Sequence, residues 1–274
     1  MWTLSGFADE IGPDLDQQCA VLDDLGVRFL ELRSAWSVNV VDLDDDQVEW
    51  VRATLAAHGI GVSSIGSPCG KVAITDPPEH DLARLDRALQ VARRLDAPYL
   101  RLFSFFLRGA PPEQHRDEVI RRLAVYAARA RDAGITLLHE NEKEIYGDVP
   151  SRALDVVESV SSEHLRLAWD AANYVQVGVR PFTEAYAALR PYTDYVQVKD
   201  ALLADASVVA AGEGDGEIRE TVRALRADGF DGFFSMEPHL AAQDAFGGFS
   251  GVDEFVRATK TFTRLLDDEG IEFS

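Results

Sequence analysis

Only two cysteines, Cys19 and Cys69, occur in 274 residues, and their separation fits no zinc-type spacing. That argues against a disulfide scaffold and a cysteine-ligated metal, and so low a count suits a reducing compartment. Both read as small packed residues, with Cys69 bordering a pocket as the alternative. Basic residues are scarce as well: 27 Lys and Arg stand against 47 Asp and Glu, a formal net charge of −20. A phosphate backbone would meet a repulsive field, so no nucleic-acid partner is expected. No apolar run of about 18 residues occurs and no charged-then-apolar leader opens the chain, so no membrane partner and a cytoplasmic location are expected. The first strand-like run also lacks a glycine-rich turn: GFADEIG (6–12) stands there, where a dinucleotide-binding open sheet needs closely spaced glycines.

What the chain has is repetition. Eight short runs rich in Leu, Val, Phe or Tyr occupy 3–9, 28–34, 61–68, 99–106, 136–143, 165–173, 195–201 and 232–240, the way buried parallel strands read. Between and after them, apolar residues spaced three and four apart predict helices over 14–26, 45–58, 79–96, 113–133, 151–161, 181–190, 216–228 and 251–267. Asp14, Ser151 and Ser250 stand where caps belong, Pro112 and Pro181 near first turns, and Gly26, Gly59 and Gly134 at helix ends. Eight βα units without a linker predict one domain over 1–274, a single (β/α)8 TIM barrel, with its active site at the C-terminal ends of the strands. GEGDGE (212–217) has three acids and no phosphate-binding lysine, and reads as an acidic turn.

Four acceptors fall at that face: Glu140, Asp170, Gln197 and Glu237. Side chains two apart on a strand share a face. With Val196, Val198, Leu167, Trp169, Phe234 and Met236 turned toward helices, Gln197, Lys199, Ala168, Asp170, Ser235 and Glu237 point into the barrel. Glu140 and Glu142 share one face, and His139 takes the other. Ionised carboxylates are rarely buried unpaired, so their convergence predicts a hard-cation site.

At these residues the chain resembles the sugar phosphate isomerase/epimerase family of xylose isomerase-like TIM barrels. FADEIGPDLDQQ, SIGSPCGK, FSFF, LHENEKEIYGD, WDAANYVQVGVRPF, QVKDA, AGEGDGE and MEPHL carry the resemblance over nearly the whole chain. It implies that Glu140, Asp170, the position of Gln197, and Glu237 bind one divalent metal, and that Glu140 and Glu237 are the acid/base pair. The family usually has His-x-Lys-Asp where this chain has Gln197-Val-Lys199-Asp200. A Gln197 amide oxygen, as a direct ligand or through a water, makes the set all-oxygen, which favours Mg²⁺ or Mn²⁺ over Zn²⁺ or Co²⁺.

The neighbouring polar residues each have a functional and a structural reading. Lys199 faces inward, toward the metal carboxylates or a substrate oxygen. Glu142, Lys143, Asn173 and His239 lie just beyond strand ends, where hydroxyls bind. Glu31 is a candidate substrate contact or half of an ion pair with Arg33. His139 is expected as a packed, hydrogen-bonded histidine, and Asn141 and Asp200 as residues that orient neighbours or satisfy loop amides. Trp36 and the FSFF aromatics could wall a sugar or simply pack.

The resemblance implies an isomerase or epimerase that moves a proton on a sugar, sugar phosphate or keto-polyol through a metal-stabilised enediolate. The alternatives are a dehydratase or lyase on an inosose or keto-sugar, and a catalytically silent sugar-binding barrel. A surface helix pair could support a homodimer.

Overall fold

The computed structural model describes residues 1–241 and 248–274. Eight parallel strands form the frame: β1 (Thr3–Gly6), β2 (Phe29–Leu32), β3 (Gly61–Ile65), β4 (Tyr99–Leu102), β5 (Thr136–Glu140), β6 (Leu165–Asp170), β7 (Thr193–Val198) and β8 (Phe233–Met236). Each pairs in parallel with the next from β2 onward, and β8 pairs back onto β1. The result is a nearly closed (β/α)8 barrel. Between β1 and β2 no ladder forms. The free edge of β1 is bonded instead to the C-terminal residues: Trp2 N–H donates to Glu272 O at 3.0 Å, Leu4 N–H to Ser274 O at 2.7 Å, and Ser274 N–H to Trp2 O at 2.9 Å.

Helix signals in the sequence act largely as expected. The Asp14 carboxylate accepts from Gln17 N–H and caps Leu15–Asp24, and Asp44 and Gln47 form a reciprocal capping box on Asp45–His58. Gly59 and Gly134 close their helices at φ of 65° and 72°, a backbone region that strains any other residue. Ser151 is a correction: it lies inside Pro150–Val160, which starts at Val149 with Pro150 in the first turn. Ser250 does hold the cap position of Gly251–Asp268, but its hydroxyl donates elsewhere, to Glu10. The helix expected over 181–190 is broken into a wide turn at Pro181–Tyr186, a short helix at Ala187–Leu189 and a tight turn at Arg190–Tyr192. Pro191 lacks an N–H and crowds the preceding turn, so a regular ladder stops there.

The period-two reading holds. Leu167, Trp169, Val196, Val198, Phe234 and Met236 join the apolar layer between sheet and helices. Inside the barrel, Leu138, Ala168 and Tyr195 pack with Tyr99 and Phe233 as an apolar floor. The next level is polar: Ser63 Oγ lies 2.6 Å from Ser5 Oγ and 2.9 Å from the Tyr195 hydroxyl. Strand register then sets Asp170, Gln197 and Ser235 side by side, with Glu140 and Glu237 at the ends of their strands. Among the described residues, no helix is long and apolar enough to cross a membrane.

Candidate active site

Three of the four acceptors form a cage. Carboxylate oxygens of Glu140, Asp170 and Glu237 lie within 4.8 Å of one another, all buried. Gln197 stands beside them at 1% exposure, donating from Nε2 to Glu140 Oε2 at 3.2 Å. Its Oε1 is buried with no hydrogen-bond partner, an orphan acceptor of the kind a hard cation satisfies. The donors present therefore fit one divalent ion, held by Glu140, Asp170, Glu237 and the Gln197 oxygen. Neighbours fix the geometry. Asn173 donates its amide to Glu140 at 3.1 Å, and its backbone N–H to Asp170 at 2.9 Å, which caps the short helix Ala171–Gln176. Asn141 exchanges two hydrogen bonds with the Asp170 backbone, at 2.9 and 3.1 Å.

Three cations from the protein meet the same carboxylates. Lys199 Nζ lies 2.6 Å from Asp170 Oδ2 and 3.2 Å from Glu237 Oε2. Arg101, inward on β4, places Nη1 at 3.0 Å from Glu140 and 3.7 Å from Glu237. Arg33 Nη1 is 3.6 Å from Glu237. Burial pulls the Lys199 pKa down, but Asp170, Glu237 and Glu140 outweigh it and hold the ammonium well above its ordinary value. Burial also pushes Glu237 up, yet Lys199, His239 and Arg101 more than offset it and keep the carboxylate well below the usual range. Glu31, buried in the barrel interior, is pushed up to about 7 by burial, with Arg101 opposing.

A second group braces the rim. Glu10, fully buried in the turn after β1, accepts from His239 N–H at 2.9 Å and from the Ser250 hydroxyl at 2.7 Å. His239 Nε2 lies 3.2 Å from Glu10 and 3.3 Å from Glu237. Gly248 packs on the His239 ring so closely that a Cβ there would sit 1.7 Å from ring carbon Cδ2. Asp9 fixes Arg33 at 2.8 Å.

A cavity of about 200 Å³ opens onto this arrangement, lined by Glu140, Glu142, Lys199, Asn173, Glu237 and His239, with Arg33, Arg101, Lys71 and Lys143 also in its wall. Lys199, Glu142, Asn173 and His239, the candidate substrate contacts, all line it. Glu31 does not line the cavity, and its expected partner Arg33 is held by Asp9 instead. Trp36 is likewise absent from the wall; it packs edge-on against Trp50 with ring centres 6.5 Å apart. Cys69 is fully buried away from the cavity, its thiol pushed up to about 12 by burial and then by Asp81. Asp200 accepts from the Ala201, Gly212, Gly214 and Gly216 amides, so the GEGDGE turn wraps a carboxylate of its own chain. His139 is packed, but neither ring nitrogen has a hydrogen-bond partner, which corrects the expectation of a bonded histidine.

Asp9 and Glu10 are the functional neighbours that sequence reading left without a role, and Arg101 is one whose facing it left open. Arg101 had a signal, because Leu100 and Leu102 flank it in strand alternation. Asp9 and Glu10 lie in an irregular turn, where periodicity says nothing.

Comparison with known proteins agrees with this fold. Residues 19–254 match the family model described as xylose isomerase-like TIM barrel. This chain belongs to that family. A curated relative, the 2-epi-5-epi-valiolone 7-phosphate 2-epimerase of Actinoplanes sp., is 31% identical over 181 residues, and the match spans 64% of each chain. Two solved structures share the fold. One is a xylose isomerase-like TIM barrel protein from Mycobacterium smegmatis in complex with magnesium, at 20% identity and TM-score 0.73 over 97% of this chain and 96% of that one. The other is a D-tagatose 3-epimerase-like protein at 15% identity and TM-score 0.79, over 97% of both chains.

Proposed function

We propose that this chain is a metal-dependent isomerase or epimerase that moves a proton on the carbon beside a carbonyl in a sugar or keto-polyol. The observation that carries the reading is the cage: three buried carboxylates within 4.8 Å, beside an orphan Gln197 oxygen. The family membership and the epimerase relative support the same class of reaction. Glu140, Asp170, Gln197 and Glu237 would hold the ion, with Mg²⁺ or Mn²⁺ favoured by an all-oxygen set. The ion, when bound, supplies Lewis-acid stabilisation of the negative charge that develops on the substrate oxygens.

The chain's own residues do the rest. Glu140 and Glu237 reach the cavity from β5 and from the end of β8, so a substrate between them meets a carboxylate on each side. One removes the proton beside the carbonyl and the other returns it, which inverts that carbon; return by the same residue to the neighbouring carbon gives an aldose–ketose exchange. Lys199 and Arg101 lie within 3.7 Å of Glu237 and hold it in place. Asn173, Glu142 and His239 offer hydrogen bonds to hydroxyls along the wall.

The test is deuterium uptake from heavy water by ketoses, inososes and keto-glycosides with Mn²⁺-loaded protein, beside Glu237→Gln. The amide keeps an oxygen donor but accepts no proton at neutral pH, so turnover should fall by about 10²–10⁴. Exchange within a few-fold of the parent would show that Glu237 is not the base. Loss of water from the substrate in place of exchange would assign a dehydratase.

A further inference from the structure

Three donor side chains converge at the rim beside the cage. Glu10 is fully buried, and its Oε2 accepts two hydrogen bonds, from His239 N–H at 2.9 Å and the Ser250 hydroxyl at 2.7 Å. Its Oε1 accepts none among the described residues. That oxygen faces His239 Nε2 at 3.2 Å, and the same nitrogen lies 3.3 Å from Glu237 Oε1. His239 Nε2 likewise has no hydrogen-bond partner among the described residues. Ligand atoms of the three residues lie within 4.8 Å of one another.

A histidine between two carboxylates ordinarily reads as an ion pair, but the distances speak against one here. A charge-assisted N–H···O bond closes to about 2.7–2.9 Å, and one ring N–H does not point at two oxygens. A tetrahedral zinc accounts for the spacing: bonds of about 2.0–2.1 Å to nitrogen and oxygen set neighbouring ligand atoms about 3.3 Å apart. Glu237 Oε1 has no stronger claim on it from the nearby guanidinium groups. Arg33 and Arg101 stand 3.6 and 3.7 Å away, beyond a hydrogen bond, and Asp9 already holds Arg33 at 2.8 Å. Gly248 fixes the imidazole pose, since a Cβ there would sit 1.7 Å from ring carbon Cδ2. His239 and Glu237 line the cavity, which gives an ion a way in and leaves the fourth position to water.

We infer that Glu10, His239 and Glu237 form a second metal site, a three-ligand zinc-type site separate from the all-oxygen cage. The nitrogen donor is what separates the two: imidazole with carboxylates suits Zn²⁺ or Co²⁺, whereas oxygen alone suits Mg²⁺ or Mn²⁺. Glu237 belongs to both groups. Two ions that draw on one carboxylate weaken each other's binding, to the same degree in both directions. The site stands without the isomerase reading; on that reading, zinc here also takes an oxygen with which Glu237 would accept a proton, and so opposes turnover.

Zinc and manganese affinities of the full chain, read by competition with a metal indicator, test the site without any substrate. His239→Leu removes the nitrogen, while the backbone N–H that bonds Glu10 stays; Glu10→Gln keeps an acceptor for both of that residue's hydrogen bonds. Each should weaken Zn²⁺ binding by at least about ten-fold, with a far smaller effect on Mn²⁺. Asp170→Asn should do the reverse, weakening Mn²⁺ and sparing Zn²⁺. In the parent, Zn²⁺ should loosen bound Mn²⁺. Unchanged Zn²⁺ affinity in either rim variant overturns the inference, and so does a loss of Zn²⁺ in Asp170→Asn as large as the loss of Mn²⁺, which would place zinc on the cage. Deuterium exchange into a ketose by Mn²⁺-loaded protein that lacks this zinc binding would remove the second site and keep the isomerase. Zinc binding as expected with no exchange into any keto-sugar would do the opposite.

Discussion

Lys199→Met separates the protein's own charge balance from that of a metal. Lys199 is 3% exposed and bridges Asp170 at 2.6 Å and Glu237 at 3.2 Å. Methionine keeps the length and the apolar stem while removing the charge, which leaves two buried carboxylates without their nearest cation. Breaking a buried pair from one side costs about 3–5 kcal/mol. At about 2–4 °C per kcal/mol for a chain near this size, the melting temperature in chelator should fall by about 6–20 °C. A divalent ion replaces the missing charge, so Mn²⁺ should recover most of that loss. The variant should also bind Mn²⁺ at least about ten-fold more tightly than the parent, because an ammonium no longer repels the ion. Differential scanning fluorimetry across a Mn²⁺ series measures both effects. Equal melting temperatures in chelator, or a Mn²⁺-induced rise no larger in the variant than in the parent, would refute the assignment of these carboxylates to one cage.

Gln197→His should shift metal preference toward Zn²⁺, Co²⁺ or Ni²⁺ with little gain for Mg²⁺, since borderline ions profit most from a nitrogen donor; unchanged selectivity in competition assays would put Gln197 outside the metal's contacts. His139 gives a pH dependence of stability. Burial lowers its pKa from 6.5 to about 4, so as pH falls the unfolded chain takes up the proton first. The stability it contributes is complete above about pH 6.5 and is lost progressively toward pH 4, by about 2 kcal/mol between about pH 7.5 and pH 5. His139→Leu should flatten that part of the profile in urea unfolding, because neither ring nitrogen has a partner to lose; an unchanged slope would show that other groups set it.

The barrel and its cage were legible because both rest on period-two alternation. Trp169 and Asp170, or Met236 and Glu237, differ by one residue and point to opposite faces, so an acid beside a helix-facing apolar residue reads as inward. The same rule gave Lys199 its place two residues beyond Gln197. It did not show how deep Gln197 lies: that side chain is nearly inaccessible, held against Glu140 by its own amide. Alternation fixes the face of the sheet but not the depth within the barrel, which depends on how far strands are staggered and what covers the rim. The facing of the cations was open for a related reason. Arg33 and Lys71 lie beyond the ends of β2 and β3, where backbone direction depends on tertiary contacts.

The two sides of the cavity come from different halves of the chain, and this bears on how the barrel can close. Arg33, Lys71 and Arg101 belong to the first four units; Glu140, Glu142, Asp170 and Glu237 belong to the last four. A half-barrel of the last four strands would gather three carboxylates with Lys199 as the nearest neutralising charge, a costly arrangement in low dielectric. A half-barrel of the first four would gather Arg33, Lys71 and Arg101, with Asp9 already set against Arg33 at 2.8 Å. Bringing β8 onto β1, and β5 onto β4, sets each group against its opposite. The carboxylates that disfavour the last half alone therefore favour the complete ring, where Arg33 and Arg101 reach them. A divalent ion entering the cage would compete with Lys199, Arg101 and Arg33 for its carboxylates. Metal binding in such a site would be a competition between charges, which removal of one cation, as in Lys199→Met, tilts toward the ion.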